Sequence, residues 1–412
     1  MPPKGGFFDR GSCDKIQISM AINKTEEVEK LLSRNVEEVI EKENLKKRLL
    51  GGDKLRVKFG IDPTAPDLHL GHAVVLRKLR DFQKLGHKVV LVIGDFTGTI
   101  GDPSGKNETR KPLTEKEVKG NMKSYLAQAA KIIDIKKTEV VYNSRWFKEG
   151  GVKAILELAG ASSIQQVLKR ADFKKRLDEG HDITLLEVLY SVFQGYDSLK
   201  IKASIELGGT DQKFNLLMGR RVQRHFGMKE QDVMTLPLLE GTDGEKKMSK
   251  SYGNYIGLSE FSDQMFGKVM KIPDKMMERY FEFCTDLNSD EIKNLKKELL
   301  PRDLKAKLGY EIVKIYHGEK AARAARENFD KIFSKKEFSG DLPILKVKNK
   351  KMSVVDLVYQ SGVVKSKSEA WRLVEQGGFS VDGETKKDPK ELLNLKGGEI
   401  LRIGKKSFFK TN

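Results

Sequence analysis

Leu55-Arg56-Val57-Lys58-Phe59-Gly60-Ile61-Asp62-Pro63-Thr64-Ala65-Pro66-Asp67-Leu68-His69-Leu70-Gly71-His72 is the stretch that decides how this chain folds. Leu55 to Phe59 has the short aliphatic and β-branched character of a buried strand, and Gly60 to Asp67 has the Gly, Pro and Asp content of a turn. The helical pattern over 72–86 starts at the second histidine. A strand, a turn and a helix N-terminus in that order aim backbone N–H groups at an anion, so a phosphate chain fits here. Two histidines three residues apart could instead simply cap a helix.

The same alternation extends outward. Val89 to Ile93 and Glu139 to Tyr142 read as further strands, separated by helical patterns at 72–86 and 115–133. After residue 200 come Ile201 to Leu207, a helix over 211–226, and Val233 to Leu239. Strands alternating with helices imply an α/β fold with a parallel, doubly wound sheet. Residues 145–200 are mostly helical in pattern and read as an insertion between two Rossmann-like halves. Upstream, 24–50 is a charge-rich helical stretch closed by Gly51-Gly52.

The expected division is therefore an N-terminal helical arm at 1–52, a catalytic domain at 53–260 and a lysine-rich helical domain at 261–340. A linker at 341–351, containing Pro343, leads to a small helix-plus-strand module at 352–412.

Composition narrows the class. The chain has 412 residues, 38% of them hydrophobic and 33% charged, and no apolar run approaches the roughly 20 residues that span a bilayer. The N-terminus lacks the apolar core of a secretory signal, and Cys13 and Cys284 are too few for a disulfide framework or a cysteine-based zinc site. A cytoplasmic protein with no structural metal and no membrane is expected. The net charge of +18 asks for a polyanion, although surface lysine also serves solubility. Residues 345–412 hold 15 Lys+Arg against 8 Asp+Glu, a surplus of +7 in about one sixth of the chain, which marks a candidate nucleic-acid contact.

Four further segments carry chemistry. Gly94 to Lys106 is a polar, glycine-containing loop at the C-terminal end of a buried strand, where open α/β sheets bind ligands. Gly105-Lys106-Asn107 lacks the Ser/Thr and the spacing of a Walker loop. Tyr190, Gln194 and Asp197 share one helix face amid apolar neighbours, so they form either a small-molecule pocket or a buried network that holds the insertion. Gly208-Gly209-Thr210-Asp211-Gln212 follows a strand and opens a helix, with Asp211 suited to a ribose. Finally, Lys246-Lys247-Met248-Ser249-Lys250-Ser251 sits between glycine-bearing turns. It reads either as a lysine-rich surface loop or as one that closes over a triphosphate.

In this order the motifs resemble the class I aminoacyl-tRNA synthetases, and over residues 53–412 they resemble the bacterial-type tyrosyl-tRNA synthetases. The carrying residues are Phe59 to Thr64 with His69 and His72, the Gly101 to Lys106 loop, Tyr190/Gln194/Asp197, Gly209 to Gln212 and Lys247-Met248-Ser249-Lys250-Ser251. Lys365 to Ala370, Gly377-Gly378 and Val381-Asp382-Gly383 resemble an S4 RNA-binding domain.

The resemblance implies activation of L-tyrosine with ATP, accompanied by Mg2+, followed by transfer to tRNA(Tyr) by a homodimer. It implies that Thr64, His69 and His72 bind phosphates while Lys106, Arg110, Lys247 and Lys250 neutralise departing pyrophosphate. Gly71, Met248 and Ser249 would complete the ATP site, with Gly209 and Asp211 on the ribose. Asp102, Tyr190 and Gln194 would receive the tyrosine ammonium and Asp197 the phenol. Where many family members carry a second tyrosine, this chain has Lys58. A tryptophan-specific relative and a noncatalytic RNA-binding protein on the same scaffold are the competing expectations. The Tyr190/Gln194/Asp197 face and the S4-like tail weigh against the first, and the intact histidines and lysines against the second.

Overall fold

The computed structural model describes residues 10–104, 113–333, 343–345, 347, 351–364, 366–382, 384–404 and 407–412. The side chains of 10–21, 332 and 333 are not described. Two compact units divide the chain, Met1–Ala322 and Arg323–Asn412.

In the first unit, six strands form one sheet: β1 (Glu38–Ile40), β2 (Arg56–Ile61), β3 (Lys88–Ile93), β4 (Glu139–Tyr142), β5 (Ile205–Gly209) and β6 (Asp232–Leu236). Their order is β1-β6-β5-β2-β3-β4, with all pairings parallel except that of β1 with β6. β3 and β6 are buried almost throughout because helices cover both faces of a parallel sheet. Winding runs outward from β2 through β3 to β4, and in the opposite direction from β5 to β6. The order therefore reverses between β2 and β5, and the crevice beyond their carboxyl ends is where such a sheet takes ligands.

Several boundaries differ from the expectation. The 24–50 stretch is not one helix: Arg10–Ser33 ends before Asn35, β1 intervenes, and Lys42–Leu50 begins after Glu41. Asn35 and Glu41 both take positive φ (53° and 63°), which interrupts the helical path, and β1 gains ladder hydrogen bonds along the edge of β6. The arm thus contributes a strand to the catalytic sheet. Ile201 caps the preceding helix and Lys202 turns at φ 52°, so β5 starts at Ile205 instead of Ile201. β6 ends at Leu236 because Pro237 has no N–H for the ladder. The 115–133 pattern resolves into Glu115–Met122 and Tyr125–Ala129.

The insertion is helical as expected, running through Ser144–Ala159, Ile164–Leu168, Ala171–Asp178 and Leu185–Lys200. Its core joins Trp146, Phe147, Phe173, Phe193 and Tyr196. The helices from Ser262 to His317 belong to the first unit and do not form a compact unit of their own. They dock on the sheet domain through Arg77 and Arg80, both donating to Asp286 (2.8 and 2.6 Å), and through Tyr280, whose hydroxyl donates to the Glu240 carbonyl at 2.7 Å.

The second unit has a five-stranded sheet in the order Glu384–Thr385, Phe379–Val381, Ile400–Ile403, Ser407–Thr411, Ile344–Leu345. Two helices, Val354–Gln360 and Lys367–Glu375, cover it through Leu357, Val358, Ala370 and Val374. The expected linker at 341–351 is partly sheet: Ile344 and Leu345 pair with Lys410 and Thr411, and Lys351 pairs with Asn394.

Candidate active site

At the switch point lies a cavity of about 390 Å³, and every site residue expected from sequence that falls among the described residues lines it. Lys106 and Arg110 lie outside the described residues. The cavity has a mouth lined by histidines and lysines and a buried polar end, built by different parts of the chain.

The mouth is built from the turn after β2. Tyr125 Oη donates to the Ala65 carbonyl (2.6 Å) and Asn121 Nδ2 to that of Pro63 (2.9 Å), while Gln128 takes the Leu68 N–H and donates to Pro66. Thr64 is fixed by its own N–H, which donates to the Asp62 carbonyl at 2.8 Å. His69 is extended and His72 sits in the first turn of the Leu70–Lys84 helix, with the His69 N–H donating to His72 Nδ1 and ring centroids 3.9 Å apart. A Cβ on Gly71 would lie 3.0 Å from the His69 ring, so only glycine leaves the imidazole its place.

Burial, with the nearby Lys250 ammonium, pulls His72 down to about 3; burial, His72 and Lys250 hold His69 well below its ordinary value. Both imidazoles are neutral near pH 7. They can donate one hydrogen bond each to a phosphate without adding charge.

The lysine loop forms the other jaw. Glu240 and Lys247 bridge antiparallel, and the Met248 N–H donates to the Leu239 carbonyl. Buried Asn254 accepts the Ser249 N–H at 2.8 Å and donates to Asp243 at 2.8 Å. Beyond it, the Leu70 N–H donates to the Ile256 carbonyl and the Leu258 N–H to the Leu68 carbonyl, so the loop is anchored directly to the histidine segment. Lys247 Nζ donates to Asp211 Oδ2 at 2.6 Å. Burial pulls the Lys247 ammonium down, but Asp211 outweighs it and leaves the group above its ordinary value. Among the described residues Lys250 has no such partner, and burial, opposed by Asp67, brings it down to about 8.

At the buried end, the Leu185–Lys200 helix presents Tyr190, Gln194 and Asp197. Tyr190 Oη donates to Asp62 Oδ2 at 2.8 Å, and burial with Asp62 and Asp102 holds its phenol well above its ordinary value. Asp197 accepts Trp146 Nε1–H at 3.0 Å and Asn143 Nδ2–H at 3.3 Å. Burial pushes its carboxyl up to about 7, against the pull of Lys58 and these two donors. Asp102 accepts the Ser104 N–H (2.9 Å) and Gln212 Nε2–H (2.7 Å), and Arg170 donates to Ser104 Oγ at 3.0 Å from behind. Gly209 closes β5 beside Asp211.

Three participants received no role from sequence. Asp62 is the hub between Tyr190 and Thr97, whose hydroxyl donates to it at 2.7 Å; a Cβ on Gly94 would stand 1.9 Å from the same carboxylate. Gln212 orients Asp102. Glu206 lines the cavity from β5, and a carboxylate inside the apolar run Ile205 to Leu207 is the signal that marks it.

This cleft, between the halves of a doubly wound sheet and bounded by paired histidines and a lysine loop, is that of an adenylate-forming enzyme. The family described as tRNA synthetases class I (W and Y) matches residues 50–334, and the S4 domain matches 352–400. The chain belongs to the class I tRNA synthetases of this W and Y type. It is 47% identical over 385 residues to the tyrosine–tRNA ligase of Aquifex aeolicus, covering 93% of this chain and 98% of that one. With the tyrosine–tRNA ligase of Thermotoga maritima it shares 48% identity over 390 residues, covering 93% and 97%.

Among solved structures, a C-terminally truncated Aspergillus nidulans mitochondrial tyrosyl-tRNA synthetase superposes with a TM-score of 0.65 at 21% identity, covering 77% of this chain and all 100% of that one. The tyrosyl-tRNA synthetase of Archaeoglobus fulgidus complexed with L-tyrosine gives 0.59 at 21% identity, covering 73% and 99%. These two likenesses bear on the fold.

Proposed function

We propose that the cleft performs the tyrosine–tRNA ligase reaction. L-tyrosine is activated by ATP to tyrosyl-adenylate with release of pyrophosphate, and tyrosine then passes to the 3′ end of tRNA(Tyr). The observation that carries the reading is the polarity of one cavity: neutral imidazoles and two ammonium groups at the mouth, and a buried carboxylate, Asp197, at the closed end. Beyond the Trp146 and Asn143 donors that Asp197 already has, a phenylalanine ring would bring it none, whereas a phenol supplies a further one.

Asp102, Tyr190 and Gln194 are assigned to the substrate ammonium and Asp197 to its hydroxyl. The carboxylate of tyrosine attacks the α-phosphorus in line while the bond to the bridging oxygen breaks. Thr64, His69 and His72 donate to the phosphates, and Lys247 and Lys250, with Lys106 and Arg110, take up the charge of the leaving pyrophosphate. Gly209 and Asp211 hold the ribose, and Gly71, Met248 and Ser249 border the adenine. In the second step the terminal ribose hydroxyl attacks the tyrosyl carbonyl and AMP leaves. No protein nucleophile is required, so positioning and electrostatics supply the acceleration.

Mg2+ is assigned to ATP, held on its phosphates and waters as this ion commonly is. Among the described residues no group of three or more His, Cys, Asp or Glu side chains is gathered for a metal, and no helix is long and apolar enough to cross a membrane. We assign the enzyme to the cytoplasm, which a chain with two cysteines and no disulfide framework fits. A second copy of the chain is the assigned partner of the helical insertion, which exposes Val152, Leu156, Ile164 and Leu185 by 57–74%.

ATP–pyrophosphate exchange across the twenty amino acids tests the reading. Tyrosine alone should support rapid exchange, and comparable exchange with phenylalanine or tryptophan would overturn it.

A further inference from the structure

Lys58 and Glu206 stand directly opposite each other on adjacent strands β2 and β5, both within 1% of complete burial. Taking two such charges out of water costs several kcal/mol each and is sustained only when every remaining donor and acceptor is met. That condition is closely satisfied. Lys58 Nζ donates to Glu206 Oε1 (2.8 Å), Ser198 Oγ (2.7 Å) and the Gln194 carbonyl (2.9 Å), which uses all three ammonium protons. Glu206 Oε2 accepts Ser198 Oγ–H at 2.9 Å and Gln231 Nε2–H at 2.5 Å, and Oε1 also faces Gln194 Nε2 at 3.4 Å.

Two consequences follow from this placement. The ammonium lies behind the cavity wall with no proton left over, so it is not a ligand of the substrate hydroxyl. It does tie the turn of helix that carries Gln194 and Asp197 to both central strands. The groups facing Asp197 are Lys58 from β2, Glu206 from β5, Asn143 and Trp146 from the segment after β4, and Tyr190 from its own helix. Lys58 is the cation of that set and Glu206 the competing anion.

We propose that Lys58 is a positioning residue for tyrosine recognition: its buried ammonium, tied to the Gln194 carbonyl one helical turn from Asp197 and set against the Glu206 carboxylate, fixes the register and the local field of the turn that receives the phenol. The pair replaces a direct second ligand of the hydroxyl by an electrostatic one. This inference rests on the assignment of tyrosine to the cavity.

The two partners act with opposite sign, and that separates recognition from mere support. In pyrophosphate exchange between pH 6 and 9, the wild-type KM for tyrosine should fall as pH rises through about 7, where Asp197 ionises. Lys58→Met should raise that midpoint by about one unit and raise the tyrosine KM at pH 7 about fivefold, with the KM for ATP changed far less. Glu206→Gln should lower the midpoint, and Lys58→Met/Glu206→Gln should lie between the single variants.

A tyrosine KM that worsens equally in both single variants with an unmoved pH midpoint would reduce the pair to packing and overturn the proposal. Should Lys58→Met fail to fold, Glu206→Gln decides alone, since an unmoved or raised midpoint in it contradicts the proposed sign. Wild-type protein that fails to exchange with tyrosine refutes the assignment of the cavity itself. Tyrosine-specific exchange with unmoved midpoints refutes only the role of Lys58.

Discussion

Replacing Asp197 with asparagine keeps the shape of the buried end and removes its charge. The carboxylate is 4% exposed and takes Trp146 Nε1–H on one oxygen and Asn143 Nδ2–H on the other. Asparagine has one acceptor. If it keeps the Trp146 bond, its amide nitrogen faces the Asn143 amide nitrogen, which cannot easily turn over because Asn143 Oδ1 already accepts the Phe96 N–H and Nδ2 also donates to Thr97.

The variant therefore loses a charged acceptor for the phenol, worth roughly 1.5–3 kcal/mol. At about 1.4 kcal/mol per factor of ten, kcat/KM for tyrosine in pyrophosphate exchange should fall about 10- to 100-fold. Phenylalanine has no hydroxyl to lose and should be changed much less, so the tyrosine-to-phenylalanine ratio falls by nearly the whole factor. The pH dependence of the tyrosine KM near 7 should vanish as well, since an amide does not titrate. An unchanged ratio, or a surviving inflection near pH 7, would remove Asp197 from hydroxyl recognition.

His72→Ala and Lys250→Ala should each lower single-turnover adenylation about 100-fold, roughly 3 kcal/mol of barrier, while tyrosine affinity stays close to wild type. Near-normal adenylation in either would make the motifs structural. Because burial holds Lys250 at about 8, its ammonium is present below that pH and lost above it, so kcat/KM for ATP should fall as pH rises through about 8. Lys250→Arg should abolish that limb, and a limb that persists would assign it to another group. Deleting residues 334–412 removes the whole second sheet; exchange should survive, whereas tRNA charging should be lost, and the full chain's tRNA affinity should drop steeply with salt. Normal charging by the truncated chain would remove the S4 unit from tRNA binding. Leu156→Glu with Leu185→Glu should halve the mass measured by sedimentation, and an unchanged mass would place the assembly contact elsewhere.

The central strands were legible because their signals are local: aliphatic runs ended by glycine, proline or aspartate, alternating with helical spacing. β1 was not, since Glu38-Val39-Ile40 sits in a helical pattern and becomes a strand only by pairing with β6, almost two hundred residues later. Ile344 and Leu345 were hidden in the same way, inside a lysine-rich stretch that looks like a linker until Lys410 and Thr411 lie beside it.

The site shows the same division. Sequence alone determined which chemical groups the chain carries and the turn–helix frames of His69, His72 and Asp211, because turns and helix starts depend on neighbours within a few residues. Tertiary structure alone decided that Tyr190 reaches Asp62, that Lys247 sits on Asp211, and that Lys58 faces Glu206. It also decided the charge states, holding His72 near 3 and Asp197 near 7, since these follow from burial and from partners on distant strands that spacing along the chain does not encode.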